Sequence, residues 1–170
     1  INFITLIYSY FKYLLNKELI LLKVGNKAPN FSLQNTKSES VSLSDFKGQN
    51  VILWFYPKAS TPGWTVQGQG FRDEFQSFKD KNTTIIGVSA DSIQKNKNFK
   101  EKQEFQFELL SDENKTMIES YGAWVKKKMY GKEYMGIARI SYLIDKDGIV
   151  SHVFDKVKTK SHALDVLNNL

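Results

Sequence analysis

Cysteine is absent from this chain of 170 residues. Its absence excludes a disulfide framework and a thiolate metal site, and removes any clue to redox compartment. Histidine is nearly as scarce. His152 and His162 stand ten residues apart with no carboxylate-rich pattern around them, so neither a metal centre nor another cofactor is expected. Arginine is reduced to Arg72 and Arg139 against 22 lysines. The formal net charge of +6 therefore rests on flexible, strongly hydrated ammonium groups, and with twelve asparagines it fits an AT-rich coding sequence. A nucleic-acid surface clusters arginine on one face or carries a reading motif. Neither is found, and no nucleic-acid partner is expected.

Long apolar runs are also missing. Residues 1–22 are rich in Ile, Leu, Phe and Tyr, but Lys12, Lys17 and Glu18 interrupt them, short of the roughly 20 apolar residues that a spanning helix needs. They lack the n-region, short apolar core and small-residue cleavage site of a secretory signal. Because the chain starts with Ile, the segment is read as an extension appended or wrongly assigned to the domain, with an amphipathic membrane-surface helix as the second reading and an extra packing helix as the third. The domain itself is placed at residues 23–170. Hydrophobic content of 41% with 14% aromatics is that of one globular domain expected in the cytoplasm.

The pattern along the chain predicts a mixed α/β fold. Val24 to Leu33 and Ser40 to Leu43 read as a short edge hairpin, followed by one helical turn ended by Gly48. Asn50 to Tyr56 is a continuous apolar run, a strand covered on both faces. Phe71, Phe75 and Phe78 at i, i+4 and i+7 predict a helix, and Thr83 to Ser89 a second buried strand. That order makes a right-handed βαβ unit. A lysine-rich helix over Ser92 to Glu104 follows and leads to Phe107-Glu108-Leu109-Leu110, then to a short helix around Lys115 to Tyr121. Arg139 to Asp145 and Ile149 to Phe154 form a hairpin turned by Lys146, Asp147 and Gly148. A closing helix, Ser161 to Leu170, is expected to turn Leu164, Leu167 and Leu170 inward.

The most informative segment runs from Phe55 to Gln67: Phe-Tyr-Pro-Lys-Ala-Ser-Thr-Pro-Gly-Trp-Thr-Val-Gln. It resembles the active-site stretch of peroxiredoxins of the bacterioferritin-comigratory, or Q, type, where the pattern reads Pro-x-x-x-Thr-x-x-Cys and a second cysteine often follows five residues on. Phe71-Arg72-Asp73, Tyr121 to Trp124, Lys128 to Gly131, Gly136 to Arg139 and Leu143 to Gly148 fit the same pattern, so the resemblance spans residues 22–170. It implies a thioredoxin-like fold with a central mixed sheet flanked by helices, and reduction of hydrogen peroxide and organic hydroperoxides with a thioredoxin-like donor. It also implies roles. Pro57 shields the pocket, Thr61 offers a hydroxyl, Gly63 lets the backbone approach the substrate, and Arg139 supplies the guanidinium. A helix N-terminus and a nearby cation lower a cysteine pKa from about 8.5 by roughly one to several units, and backbone N–H groups with the arginine stabilise charge on the breaking O–O bond.

The two cysteine positions hold Trp64, in place of the peroxidatic residue, and Gln69, in place of the resolving one. An indole has no titratable nucleophile, and the reaction requires a sulfenic acid at that atom. The expectation is a monomeric, catalytically inactive member of the family. Two alternatives stand beside it: an interaction module built on the surface around Trp64, and a substituted version of an active thiol peroxidase. Trp64 reads first as a packing residue that plugs the old pocket and second as a stacking face. Plainer readings accompany the others: Arg139 as the partner of a core carboxylate, Thr61 as a helix N-cap, the lysines at 126, 127, 128 and 132 as a solvated face, and the two histidines as surface or hairpin residues.

Overall fold

The computed structural model describes residues 21–170. The predicted extension over residues 1–22 lies, apart from its last two residues, outside them. Nine strands are described: β1 (Ser32–Gln34), β2 (Ser40–Ser42), β3 (Asn50–Phe55), β4 (Thr83–Ser89), β5 (Glu108–Ser111), β6 (Trp124–Met129), β7 (Lys132–Ile137), β8 (Ser141–Ile144) and β9 (Val150–Phe154). The helices are α1 (Pro62–Asp73), α2 (Phe75–Asp80), α3 (Ile93–Gln103), α4 (Thr116–Ser120) and α5 (His162–Leu167), with a 3₁₀ turn at Leu43–Phe46.

Seven strands form one mixed sheet in the order β2-β1-β5-β4-β3-β8-β9. β3 and β4 are parallel, with Asn50 opposite Thr83 and Phe55 opposite Val88, and β4 and β5 are parallel as well. β8 runs antiparallel to β3 and to β9, as the predicted hairpin requires. The apolar run in β3 has a direct consequence: its side chains alternate between two cores. Val51, Leu53 and Phe55 pack with Ile86, Ile118, Tyr121 and Tyr142 on one face. Ile52 and Trp54, with Tyr56 just beyond the strand, pack with Phe71, Phe78, Phe99 and Val166 on the other, beneath α1, α2, α3 and α5. A strand buried on both sides has no polar position to spare, which is why it read as continuous rather than alternating.

Four details differ from the sequence reading. The phenylalanine-bearing helix is two segments, α1 and α2, interrupted at Glu74 with φ −96° and ψ 10°, and of its phenylalanines Phe71 and Phe78 are buried while Phe75 is half-buried. In α5 the inward residues are His162, Ala163, Val166 and Leu167. Leu164 is 51% exposed, because a helix entering at Ser161 turns that position away from Phe71. His162 is a core residue, 1% exposed, whereas His152 sits half-buried on β9 of the hairpin. Finally, β6 and β7 form a separate two-stranded sheet that the sequence pattern did not predict. Its turn, Tyr130 and Gly131, has φ of 49° and 75°, the doubly positive pair of a two-residue hairpin turn. Among the described residues, no helix is long and apolar enough to cross a membrane.

Candidate functional site

The register of β3 and β8 builds the site. Trp54 lies opposite Ser141, and the Phe55 N–H donates to the Ile140 carbonyl at 3.2 Å. Arg139, at the entry to β8, is thereby carried to the C-terminal end of β3, where residues 56–61 lead into α1. In open α/β sheets this end of the strands is where ligand sites fall.

The loop is pinned from below. The Ala59 N–H donates to Asp91 Oδ2 at 2.7 Å, and the Asp91 N–H donates to Ser89 Oγ at 3.2 Å. Ser89 Oγ and the Tyr56 hydroxyl both donate to Asn96 Oδ1, at 3.2 and 2.7 Å, and Asn96 Nδ2 donates to Ser111 Oγ at 2.9 Å. Burial pushes the Tyr56 phenol well above its ordinary pKa, so it stays a neutral donor. Asn96 thus joins α3 to β3, β4 and β5 with its amide satisfied, the condition under which a buried polar group rigidifies a core. Sequence reasoning missed this network. Its one signal was a polar residue three positions before Phe99, on the buried face of a lysine-rich helix.

Pro57 is half-buried at the start of the loop. Thr61 occupies the N-cap position of α1 but makes no side-chain cap. Its hydroxyl donates instead to the Lys58 carbonyl at 2.9 Å, closing a tight turn that holds Ser60 at φ 65°. Trp64 is the third residue of α1. Its ring belongs to the core beneath the helix and is only 7% exposed. The Arg139 guanidinium carbon lies 4.3 Å from the centroid of that ring, a cation–π contact. Gly63 makes the approach possible: a Cβ there would stand 2.9 Å from Arg139 Nη2. The side chain missing at Gly63 therefore makes room for the guanidinium.

Among the described residues Arg139 has no carboxylate partner within ion-pair distance; its contact there is the Trp64 ring. Burial lowers its pKa. Lys127 is lowered too, first by burial and then by the charge of Arg139. Of the four lysines read as a solvated face, Lys126, Lys128 and Lys132 are exposed, but Lys127 is half-buried and its Cδ would be 3.2 Å from a Cβ on Gly136. Gln69 lies away from this cluster. Its Nε2 donates to Gln103 Oε1 at 2.9 Å, tying α1 to α3. The structure thus brings Gly63, Trp64 and Arg139 together, turns the Thr61 hydroxyl to the Lys58 carbonyl and leaves Gln69 in a helix–helix contact. No group of three or more His, Asp or Glu side chains converges as a metal site among the described residues.

Chemically, the cluster has a cation and a helix N-terminus, the parts that stabilise an anion, but no nucleophile between them. The place is filled by an aromatic ring whose face is already covered.

Comparison with known proteins gives the family. The AhpC/TSA family profile matches residues 24–153. Peroxiredoxin Bcp of Escherichia coli K12 is 48% identical over 147 residues, covering 86% of this chain and 94% of the relative. Peroxiredoxin Bcp of Bacillus subtilis is 44% identical over 149 residues, covering 88% and 95%. Among solved structures, the bacterioferritin comigratory protein of Xanthomonas campestris, described for its alkyl peroxide reduction activity, superposes with a TM-score of 0.78 at 34% identity, over 82% of this chain and 88% of that one. A cysteine-to-serine variant of PrxQ from Xylella fastidiosa superposes at 0.82 and 32% identity, over 87% and 94%. With its thioredoxin-like fold, the chain belongs to the AhpC/TSA family, as a homologue of the Bcp and PrxQ peroxiredoxins that has no cysteine.

Proposed function

We propose that this protein no longer reduces peroxides and that Trp64, held under Arg139, closes the pocket in which its relatives carry out the reaction. The domain spans residues 23–170 and acts as a cytoplasmic monomer without a cofactor. The family's reductant and hydroperoxide are not its substrates. One observation carries this reading: the indole at the position matched to the family's peroxidatic cysteine is 7% exposed, with the guanidinium 4.3 Å from its centroid. The same burial counts against the surface around Trp64 as a docking face, since a stacking residue must be reachable.

The chemistry supports this reading. Two-electron reduction of a hydroperoxide here needs a sulfur atom to accept the distal oxygen as a sulfenic acid, which a second thiol then reduces. This chain has no sulfur of that kind, and an indole N–H can only donate a hydrogen bond. Purified protein is expected to give no peroxide-dependent oxidation of thioredoxin or dithiothreitol above a protein-free control. Turnover that tracks the protein through further purification would overturn the proposal.

A further inference from the structure

The described surface carries six exposed large hydrophobic residues, and four of them, Met129, Tyr130, Tyr134 and Met135, fall within one short stretch of β6, β7 and their turn. We propose that this hairpin is a contact for anionic phospholipid surfaces, entered tip first. This proposal is independent of the pocket at Trp64 and goes beyond the reading given for it.

Tyr130 forms the tip and is 97% exposed, beside Met129 at 54%. Behind the tip the cross-strand pairs are Met129 with Lys132, Lys128 with Glu133, Lys127 with Tyr134 and Lys126 with Met135. Side chains alternate between faces along a strand. Met129, Lys132, Lys127 and Tyr134 therefore share one face, and Lys128, Glu133, Lys126 and Met135 share the other. Each face carries apolar and cationic groups together. The hairpin's one acid, Glu133, is paired to Lys126 at 3.1 Å, which leaves Lys128 and Lys132 without a carboxylate partner among the described residues.

That distribution selects the occupant. Apolar side chains on both faces, Tyr134 on one and Met135 on the other, suit an occupant that surrounds the tip, and the lysines beside them suit an anionic one. A headgroup layer surrounds an inserted tip on every side. Tyrosine favours the membrane–water interface, and lysine stems lie along apolar surface while their ammonium groups reach the phosphates. The free N–H and C=O groups on both edges of a two-stranded sheet limit entry to that polar depth. Each lysine near an anionic surface strengthens partition by about five-fold.

The test is co-sedimentation of the full chain with vesicles of phosphatidylcholine alone and of equal parts phosphatidylcholine and phosphatidylglycerol, at low and physiological salt. Binding is expected only to the anionic vesicles, weaker at higher salt. The paired variant Met129→Ser with Tyr130→Asn is expected to weaken binding by about tenfold, and Lys128→Gln with Lys132→Gln by roughly 25-fold. Both keep the fold, since every altered side chain is exposed, and an unchanged circular dichroism spectrum checks this. Failure to sediment with anionic vesicles overturns the proposal. So does binding that neither variant weakens, which would place the contact elsewhere in the chain. Retention on single-stranded oligonucleotides that depends on the hairpin, without vesicle binding, overturns it in favour of nucleic acid.

Discussion

At Trp64 two contributions can be compared. Taking a large aromatic side chain out of water stabilises by about 1.5–3 kcal/mol, and a cation–π contact at a partly desolvated site adds about 0.5–2 kcal/mol. Burial of the ring is therefore at least as important as the arginine above it. Trp64→Cys would restore the atom that the family's chemistry needs and remove most of both contributions. A large-to-small change in a packed site costs about 3–5 kcal/mol when the cavity does not collapse. The variant is expected to unfold at lower urea and to reduce peroxide far more slowly than Escherichia coli peroxiredoxin Bcp assayed beside it. Equal rates would show that the pocket had never adapted to the indole, as in a recently substituted peroxidase. Pro57, Thr61, Gly63 and Trp64 were legible in the sequence because their spacing is local, and Arg139 because its own short motif, Gly136 to Arg139, is. Their partners were not. Nothing in the order of residues says that the space left by Gly63 admits Arg139, because that depends on where a segment more than seventy residues away arrives, and the turn of the Thr61 hydroxyl back to Lys58 competes with the helix cap that its position suggests.

Helix α1 shows how an element can be recognised while its reason for being stays hidden. Gly68 and Gly70 lie inside it, where glycine costs roughly 1 kcal/mol relative to alanine. At Gly68 the cause is visible: a Cβ would stand 2.5 Å from Phe105 Cζ. Phe105 cannot swing aside easily, because it stacks on Phe107 at 4.8 Å between centroids and meets Phe99 edge-on at 5.1 Å. Propensity and packing therefore oppose each other in Gly68→Ala. Overpacking a core costs about 1–3 kcal/mol, more than the helix gains, so a net fall in urea midpoint is expected. A rise would show that the phenylalanine cluster yields. The β6–β7 hairpin escaped the sequence reading for a different reason. Val-Lys-Lys-Lys-Met has no apolar alternation, and Tyr-Gly is not a usual turn pair. Tyr130 tolerates positive φ only because Gly131 follows it and two strands enforce the geometry. The helix break at Glu74 is equally silent, since an apolar period of three and four continues straight through it.

For the molecule as a whole, the sheet separates two cores, and the helix that closes one of them depends on a buried imidazole. His162 Nε2 is 2.9 Å from Ser141 Oγ, and its ring meets Phe71 and Phe154 edge-on at 5.5 and 5.4 Å. Burial lowers its pKa from 6.5 to about 4, against a smaller upward pull from Asp165. The unfolded chain thus binds this proton more readily than the native one. The stability that neutral His162 supplies is fully present above pH 6.5 and is lost as pH falls from there through 4. Between pH 8 and pH 5 the loss from this group is about 2 kcal/mol. His162→Phe is expected to flatten the pH dependence of the urea midpoint in that window, and an unaltered slope would show that the imidazole is solvated.

The sequence by itself determined the family, the βαβ core and the loss of the peroxidase nucleophile. These follow from local pattern and chemical identity: apolar runs dictate strands, motif spacing dictates which residues meet at a helix start, and no arrangement of neighbours turns an indole into a thiolate. Only the tertiary structure decided that Trp64 lies under Arg139, that His162 is buried, and that a lysine-rich segment stands out as a hairpin with an apolar tip. Those outcomes depend on contacts between parts of the chain distant in sequence, where geometry and exclusion of water, rather than residue type, set what each side chain meets.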